Sequence, residues 1–306
     1  MSHQPVLLKE AIEALNIDPQ GFYIDGTFGR GGHARAILSL LSPNGRLLVF
    51  DKDPQAILEA KKLMVEDSRL IVRHGSFIEM AKTVIDLDWQ GKVAGIFLDL
   101  GVSSPQLDEA ARGFSFLHNG PLDMRMDTSV GSPASDWIAT VAEKELANVL
   151  YEFGEERYSR RIAKAIVIAR EKAPILTTLE LAEIIKAAHP KWPQNQHPAT
   201  RSFQAIRIQI NQELEELNLF LPQSLSILKE KGRLVVISFH SLEDRLVKQF
   251  VQTLQYDPRY PKDLIIKTSE YHVPMKAIGK MIKANHREIA VNPRARSACL
   301  RILEKQ

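Results

Sequence analysis

The sequence predicts an α/β fold: a doubly wound parallel sheet interrupted by an inserted all-helical domain. Strand-like and helix-like segments alternate over the first hundred residues, which is the pattern of a parallel sheet with crossover helices. Helical periodicity alone then runs from about residue 132 to residue 211, and strand-like segments return after residue 232. We therefore expect a sheet domain over residues 1–108 and 213–306 and a helical insertion over residues 109–212.

The first hundred residues predict four strands separated by helices. Residues 6–15 carry apolar side chains at helical spacing, and residues 34–41 form a second apolar helix. Pro54 is placed to open a third helix, because proline is favoured in a first helical turn. The predicted strands are Phe22–Asp25, Arg46–Asp51, residues 70–72 and Val93–Asp99. Three of them end in an aspartate, so three carboxylates are expected at the carboxyl edge of the sheet, where ligands of such folds bind.

The remainder of the chain predicts helices followed by three strands. Ser132 before Pro133 is typical of an N-cap followed by proline at the first helical position. Residues 177–180 have the sequence of a capping box. A long helix is expected from about residue 200 to residue 229. The last predicted strands are residues 233–239, 264–267 and 298–303.

Composition points to a globular protein. Of 306 residues, 25% are charged and 44% hydrophobic, close to the globular average. No apolar run approaches the roughly 18 residues that span a bilayer, and the N-terminus lacks the regions of a signal peptide. We therefore expect a cytoplasmic protein without membrane contact. Cys299 is the only cysteine, which excludes an internal disulfide and fits a reducing compartment; no Cys/His spacing predicts a metal site.

Positive charge is concentrated at the C-terminal end. Residues 259–306 hold 11 Lys/Arg and 4 Asp/Glu, a net charge of +7. Since the whole chain has 40 and 37, the remainder holds 29 and 33, a net charge of −4. This asymmetry suggests a polyanionic partner, although a solvated basic tail explains it equally well on charge alone.

The loop after the first strand, residues 25–33, has the composition of a cofactor-binding turn. Its glycines allow close backbone approach, and the following helix presents free N–H groups. Asp51 lies 20 residues after Gly31, the spacing at which an acid binds ribose hydroxyls. The glycine pattern also fits NAD. Asp25 would repel a pyrophosphate, however, so the strand-end carboxylates favour S-adenosylmethionine, which carries a sulfonium and an ammonium group.

The loop after the fourth strand suggests chemistry at an amine. Residues 99–106 lie where amino-methyltransferases carry an acid or Asn followed by Pro-Pro-aromatic. An exocyclic base amine attacks a methyl sulfonium only when acceptors hold its N–H groups and favour a pyramidal nitrogen. A side-chain oxygen and a rigid carbonyl beside proline supply such acceptors, and alignment of nitrogen, methyl and sulfur completes the requirement. An ordinary Ser-Pro turn is the alternative.

Six motifs closely resemble the ribosomal RNA small-subunit methyltransferase H family. They are residues 25–33 (DGTFGRGGH), 98–106 (LDLGVSSPQ), 120–127 (GPLDMRMD), 197–201 (HPATR), 238–245 (SFHSLEDR) and 292–297 (NPRARS). The resemblance covers almost the whole chain. It implies a Rossmann-like methyltransferase sheet with a helical insertion, S-adenosyl-L-methionine as cofactor, and methylation of N4 of a cytidine in 16S rRNA near the decoding centre.

The resemblance also assigns site residues. The implied cofactor contacts are Gly31, Gly32, His33, Asp51, Phe77, Asp99 and Gln106. The implied catalytic residues at the amine are Asp99, Ser103, Ser104 and Pro105. The aromatic that usually stacks on the target base is missing from the Ser-Ser-Pro-Gln turn. Candidates to replace it, each also suited to a core, are Phe114, Phe116, Trp137 and Phe203.

The substrate implied is 16S rRNA in the small ribosomal subunit, from which the cytosine must be extruded. Arginines in motif loops suit phosphate contacts, with surface ion pairs as the alternative. These RNA-binding candidates are Arg112, Arg125, Arg201, Arg245, Arg294 and Arg296. His33 is expected to organise the cofactor turn, and neither it nor His240 is assigned as a base. The oligomeric state stays open, with a homodimer among the options.

Three other functions compete. A cytosine C5-methyltransferase needs a cysteine nucleophile, and Cys299 in the last strand lies outside the motif loops. An NAD-dependent dehydrogenase would use the glycine loop to bind NAD. A noncatalytic RNA-binding or assembly factor would need the basic surface but neither the cofactor loop nor the Ser-Ser-Pro-Gln turn.

Overall fold

The chain forms two compact units. The computed structural model describes residues 5–191, 197–254 and 273–306. The first unit comprises Met1–Gly101 with Leu214–Gln306, and the second comprises Val102–Glu213. A helical segment is thus inserted into a sheet-containing unit, which confirms the predicted α/β fold class.

The first unit is built on one sheet with the strand order β3-β2-β1-β4-β5-β8-β6, and β7 pairs with β8. Strands β1 to β5 are parallel, and β8 is antiparallel to β5. The strands are β1 (Phe22–Asp25), β2 (Arg46–Asp51), β3 (Leu70–His74), β4 (Val93–Asp99), β5 (Leu228–Ser238), β6 (Met275–Ala277), β7 (Ile282–Lys283) and β8 (Cys299–Lys305). Its helices are α1 (Leu8–Leu15), α2 (Gly32–Leu40), α3 (Pro54–Glu66), α4 (Met80–Asp86), most of α11 (Glu213–Ile227), α12 (Ser241–Leu254) and α13 (His286–Val291).

Both faces of this sheet are covered, as the continuous apolar strands require. In β2, Leu47 and Val49 belong to one core cluster, whereas Leu48 and Phe50 belong to the other. Successive strand residues point to opposite faces, so a strand that is apolar at every position needs packing on both sides. This arrangement leaves the polar strand ends, rather than the faces, to carry a site.

The second unit is helical and has its own core. Its helices are α5 (Ser104–Asp108), α6 (Ala134–Thr140), α7 (Glu143–Glu152), α8 (Ser159–Arg170), α9 (Thr178–Ala188) and α10 (Thr200–Asn211). Apolar residues at helical spacing, such as Leu146 with Leu150 and Ile162 with Ile166, meet in one cluster. The predicted capping box begins α9, where the Thr177 N–H donates to Glu180 Oε2 at 2.9 Å.

The predicted long helix over residues 200–229 is wrong. It is two helices, α10 and α11, separated by Gln212 in the left-handed conformation with φ 53°. The break is fixed by tertiary contacts of Asn211, whose Nδ2 donates to Met124 O at 2.7 Å and whose Oδ1 accepts from the Met126 N–H at 2.6 Å. Helical periodicity continues across the break, so it gave no sign of this turn.

Two smaller expectations also differ from the structure. Pro133, not Ser132, is the N-cap of α6, because the first helical residue is Ala134. The helical unit starts at 102 rather than 109 and ends at 213 rather than 212, since Val102 and Leu107 pack against its core. The strand predicted at residues 264–267 lies outside the described residues. Across the described ranges, none of the helices combines the length and apolarity needed to cross a membrane.

Gly120 provides a stability test for the second unit. A Cβ at this position would lie 1.8 Å from the backbone oxygen of Ala110, which cannot rotate away. We expect Gly120→Ala to lower the free energy of unfolding by about 2–3 kcal/mol, the upper range for overpacking. At Gly131 nothing lies within 4 Å, and Gly131→Ala should cost only about 1 kcal/mol for its φ of +70°. Urea unfolding of both variants checks this, and equal losses would contradict it.

Candidate functional site

Three carboxylates meet at the carboxyl edge of the first unit's sheet. Strands β1, β2 and β4 are parallel neighbours, with Asp25 in register with Val49 of β2 and Phe97 of β4. The strand ends Asp25, Asp51 and Asp99 are therefore gathered at one edge, as ligand-binding residues of such sheets are.

Asp51 holds the glycine loop in place. Its Oδ2 accepts from the Gly29 N–H at 2.7 Å and its Oδ1 from the Asp53 N–H at 2.8 Å. Burial raises the pKa of Asp51 to about 6, since the charged form loses solvation, and these backbone donors limit the rise. Gly31 has φ +75° and is the N-cap of α2; a Cβ there would lie 2.5 Å from the Phe28 ring. Both the conformation and the close approach require glycine.

Asp25 is buried with one carboxyl oxygen unpartnered. Its Oδ1 accepts from the Thr27 N–H at 3.0 Å, whereas Oδ2 has no hydrogen-bond partner within the described part of the chain. Burial raises the pKa of Asp25 to about 7, and the negative charge of Asp51 contributes in the same direction. A buried carboxylate without full hydrogen bonding is costly, so this oxygen is available to a ligand.

Asp99 repeats this arrangement on the neighbouring strand. Its backbone N–H donates to Thr27 Oγ1 at 2.6 Å, so Thr27 joins the ends of both strands. Its Oδ1 is buried and lacks a partner among the residues described. Burial, with the charges of Asp25 and Glu243 adding to it, raises the pKa of Asp99 well above its usual range. The sequence analysis did not assign Thr27 or Glu243 to the site.

His33 lies buried beside the glycine loop, and its expected role in organising the cofactor turn stays a prediction. Its ring is buried 4.4 Å from the Phe97 ring, and Nε2 lies 3.1 Å from the carbonyl oxygen of Val6. Burial lowers the pKa of His33 to about 4, so the ring is neutral at pH 7. With its proton on Nε2 toward the carbonyl, Nδ1 faces Asp99 Oδ2 at 3.8 Å as an acceptor.

The unpartnered oxygens test which cofactor this edge suits. Buried Asp25 and half-buried Asp99 each have one buried carboxyl oxygen without a hydrogen-bond partner among the described residues. Together they are complementary to a cation and repel a pyrophosphate. The site therefore fits S-adenosylmethionine better than NAD. Asp51 keeps lone pairs for ribose hydroxyls, and the half-buried Phe77 follows β3 and packs edge-on to Phe220 at 5.4 Å. Among the described residues, no group of three or more metal-ligating side chains occurs.

The loop predicted to bind the target amine begins the second unit. Ser103 is the N-cap of α5, and its N–H donates to Gln106 Oε1 at 2.9 Å in a capping box. Pro105 lies in the first turn, so the backbone here is rigid. Gln106 is buried and stabilises this turn. The assigned roles of Ser103, Ser104, Pro105 and Gln106 toward substrate and cofactor stay predictions.

The candidate arginines differ in exposure. Arg112 is buried and donates to the carbonyl oxygens of Arg125 and Met126 at 3.1 and 3.0 Å, which argues against a phosphate contact. Arg125 makes a two-pronged pair with Asp123 at 2.7 and 2.8 Å. Arg201, Arg245 and Arg296 are exposed, and Arg294 is half-buried.

The aromatic candidates lie largely in the second unit's core. Phe114 and Phe203 are buried, and Trp137 packs against the same cluster. Phe116 is half-buried between the rings of His197 and Phe203, at 4.5 and 4.8 Å. None of the four is thereby identified as the stacking residue.

Cys299 is disfavoured as a nucleophile. It begins β8 opposite Ser238 and is buried. Burial is the main cause that raises the pKa of its thiol, so the reactive thiolate is scarce at neutral pH.

Comparison with known proteins gives full-length matches. A family model described as the MraW methylase family matches residues 1–306. The ribosomal RNA small subunit methyltransferase H of Nitrosococcus oceani is 54% identical over 306 residues, covering 100% of this chain and 97% of that protein. Its namesake in Coxiella burnetii is 52% identical over 304 residues, 99% of each chain. A solved structure of a putative rRNA methylase from Clostridium thermocellum is 12% identical with a TM-score of 0.47 over 100% of both chains, a likeness too weak to carry an argument.

The buried carboxyl of Asp25 predicts a distinctive pH dependence of stability. Between the unfolded pKa near 4 and the folded pKa of about 7, the folded protein keeps a proton that the unfolded chain has lost. The contribution of Asp25 to stability therefore falls as pH rises through this window and is constant above it. Asp25→Asn should match the wild type near pH 4.5 and exceed it by about 1–3 kcal/mol at pH 8.

Ligand-free thermal unfolding at the two pH values measures this difference. Asp88→Asn is the matched control, because Asp88 is exposed and paired with Lys92 at 2.7 Å, which lowers the pKa of its carboxyl. A stability gain for Asp25→Asn that does not change with pH would contradict the assignment of a desolvated carboxyl.

Proposed function

This chain belongs to the MraW methylase family, and from that premise we propose that it methylates N4 of a specific cytidine in 16S rRNA near the decoding centre. It is an S-adenosylmethionine-dependent methyltransferase of small-subunit rRNA. The observation that supports the cofactor site is the pair of carboxyl groups, Asp25 and Asp99, each of which has a buried oxygen without a partner among the described residues, beside the glycine loop.

Different described residues contact different parts of the cofactor. Gly31 and Gly32 bring backbone close to it, and Asp51 offers its remaining lone pairs to the ribose. Asp99 lies against the positively charged methionine part of the cofactor, and His33 holds the glycine loop in place. When bound, the sulfonium supplies an activated methyl group. Phe77, which follows β3, is proposed to lie against the adenine.

The amine chemistry accounts for the turn that follows Asp99. The N4 lone pair of cytosine is delocalised into the ring, so it becomes nucleophilic only when acceptors hold the N–H groups out of conjugation. We assign that role to Asp99 with Ser103, Ser104 and the backbone beside Pro105. A rigid turn suits this function, because in-line transfer depends on sub-ångström alignment.

The substrate is proposed to be the rRNA of a small subunit, in the cytoplasm. A cytosine must leave its stack before N4 reaches the cofactor, and basic loops hold the displaced backbone. Three of the candidate arginines are exposed and one is half-buried, and their guanidinium groups suit phosphate: Arg201, Arg245 and Arg296 are the exposed ones, and Arg294 is the half-buried one. The helical unit at 102–213 is proposed to recognise the rRNA. Arg112 and Arg125 would act indirectly, by holding the loop they cross-link.

Methyl transfer to undermodified subunits tests the proposal directly. Small subunits from cells lacking this protein are incubated with S-adenosylmethionine labelled in its methyl group, and their nucleosides are resolved by mass spectrometry. We expect label in N4-methylcytidine. Label in another nucleoside would keep the methyltransferase and overturn the N4 assignment, while an absence of label on subunits and free rRNA would favour a noncatalytic assembly factor.

Asp99→Asn sharpens this experiment, because it removes the charge and keeps the shape. Loss of a charged hydrogen bond of about 1.5–3 kcal/mol corresponds to roughly 10–100-fold weaker cofactor binding. Transfer should fall at least as far, while thermal unfolding shows an intact fold. Asp88→Asn, an exposed aspartate of the same unit, should match the wild type in both assays. Full activity of Asp99→Asn would refute the assigned role.

Arg296 tests the contact with RNA. It is exposed on the turn Pro293–Ser297 within the basic C-terminal part. If it contacts phosphate, Arg296→Gln should reduce the slope of log affinity against log salt by about one. Binding of wild-type and variant protein to small subunits at several salt concentrations measures the slope. Lys62→Gln, an exposed residue on α3 paired with Glu59, serves as the charge-matched control and should leave the slope unchanged.

A further inference from the structure

His240 is a half-buried histidine at the functional edge of the sheet, and no role described so far explains its two buried ring nitrogens. It follows β5 and precedes α12, and its side chain is 11% exposed. Neither ring nitrogen makes a hydrogen bond within the described ranges. Buried polar atoms are normally satisfied, and an exception at a binding edge points to a ligand.

The carboxylate of Glu243 lies beside this ring. Its Oε2 accepts from the backbone N–H groups of Phe239 and His240 at 2.8 and 3.2 Å, which anchors the carboxylate in the turn. Its other oxygen, Oε1, lies 3.2 Å from His240 Nε2. The ring therefore has Nε2 beside a buried carboxylate, and Nδ1 has no hydrogen-bond partner among the described residues. A carboxylate against one imidazole nitrogen supports the other as a proton acceptor.

The same turn lies beside the strand end that carries Asp99. Strands β4 and β5 are parallel neighbours, with Asp99 in register with Ile237, and the Leu100 N–H donates to Ile237 O at 2.9 Å. The charge of Glu243 is among the causes that raise the pKa of Asp99. His240 thus lies three residues after Ile237, which is paired with Asp99, the proposed amine-binding aspartate.

Resting on the proposed function, we propose that His240 is a catalytic residue whose Nδ1 accepts the proton that the target amine releases on methylation. As the nitrogen–methyl bond forms and the carbon–sulfur bond breaks, positive charge moves from the sulfonium to N4. The N4–H bond then breaks, its electron pair returns to nitrogen, and Nδ1 takes the proton. The resulting imidazolium is stabilised by Glu243, and the thioether product is neutral at sulfur.

The neighbouring titratable groups suit this task less well. His33 faces the carbonyl of Val6 with one nitrogen, and burial lowers its pKa to about 4, so it is a weak base. Asp25 and Asp99 are needed as carboxylates for the cofactor's cationic part. Cys299, across from Ser238 on β8, has the raised thiol pKa described above and is no acceptor at neutral pH. Glu243 is committed to the turn and to the ring.

The test measures single-turnover methyl transfer to undermodified small subunits at saturating cofactor over pH 5.5–9. General-base catalysis contributes about 10²–10⁴-fold, so His240→Ala and His240→Asn should both slow transfer by about 100-fold or more. The pH dependence that a general base gives to the wild-type rate should vanish in both variants. Exposed His286→Ala is the matched control and should retain both rate and profile.

Binding of S-adenosylmethionine by calorimetry and thermal unfolding, measured on the same variants, separate catalysis from structure. We expect both to stay within about twofold and a few degrees of the wild type. A His240→Asn rate within threefold of the wild type, or an unchanged pH profile, would overturn the proposal. A loss of rate that is accompanied by weaker cofactor binding or by lower stability would also overturn it. Each variant's rate is compared with the wild-type rate for the same labelled nucleoside. An error in the N4 assignment would therefore show in which nucleoside carries the label, and not in the comparison of rates.

Discussion

Desolvation of carboxyl groups at one edge of the sheet is the constraint on which the site depends. The strands of this sheet are apolar on both faces, so the strand ends are where they carry charge. Asp25 is buried there and Asp99 is half-buried, and each has a buried oxygen that no described group satisfies. Such groups are unfavourable in the free protein, and a bound cation reverses their effect. The fold thus retains a local instability, which cofactor binding would remove under the proposed function.

Hydrogen bonds across neighbouring strands keep this unfavourable arrangement in register. Thr27 donates to Asp25 through its backbone and accepts from the Asp99 backbone through its hydroxyl. Asp51 ties the glycine loop to β2 in the same way. Because the Thr27–Asp99 and Asp51–Gly29 contacts join residues distant in sequence, they hold the carboxyl groups together against their repulsion. The rigidity of the sheet therefore keeps the carboxyl groups close together in spite of their repulsion.

Much of this was predictable because it depends on local sequence. Strand ends, the glycine loop and the capping box at Thr177 follow from short-range patterns, and the structure has them at those positions. The break at Gln212 did not follow, since it is fixed by Asn211 contacting residues more than 80 positions away. Burial of Arg112 likewise arises from tertiary packing. Sequence identified the motifs that contain these residues, but not which side chains face a ligand.

The charge changes of methyl transfer explain why an acidic edge and a base would both be needed. Before transfer, the positive charge lies on sulfur, where the carboxylates favour it; afterwards it lies on the amine until a proton leaves. If that proton moved to Asp99, the carboxylate would lose the charge that holds the ammonium of the cofactor. A separate acceptor, supported by its own carboxylate, keeps the two tasks apart. The proximity of Glu243 to both Asp99 and His240 also implies a coupling between them, since negative charge that stabilises an imidazolium also raises the pKa of Asp99.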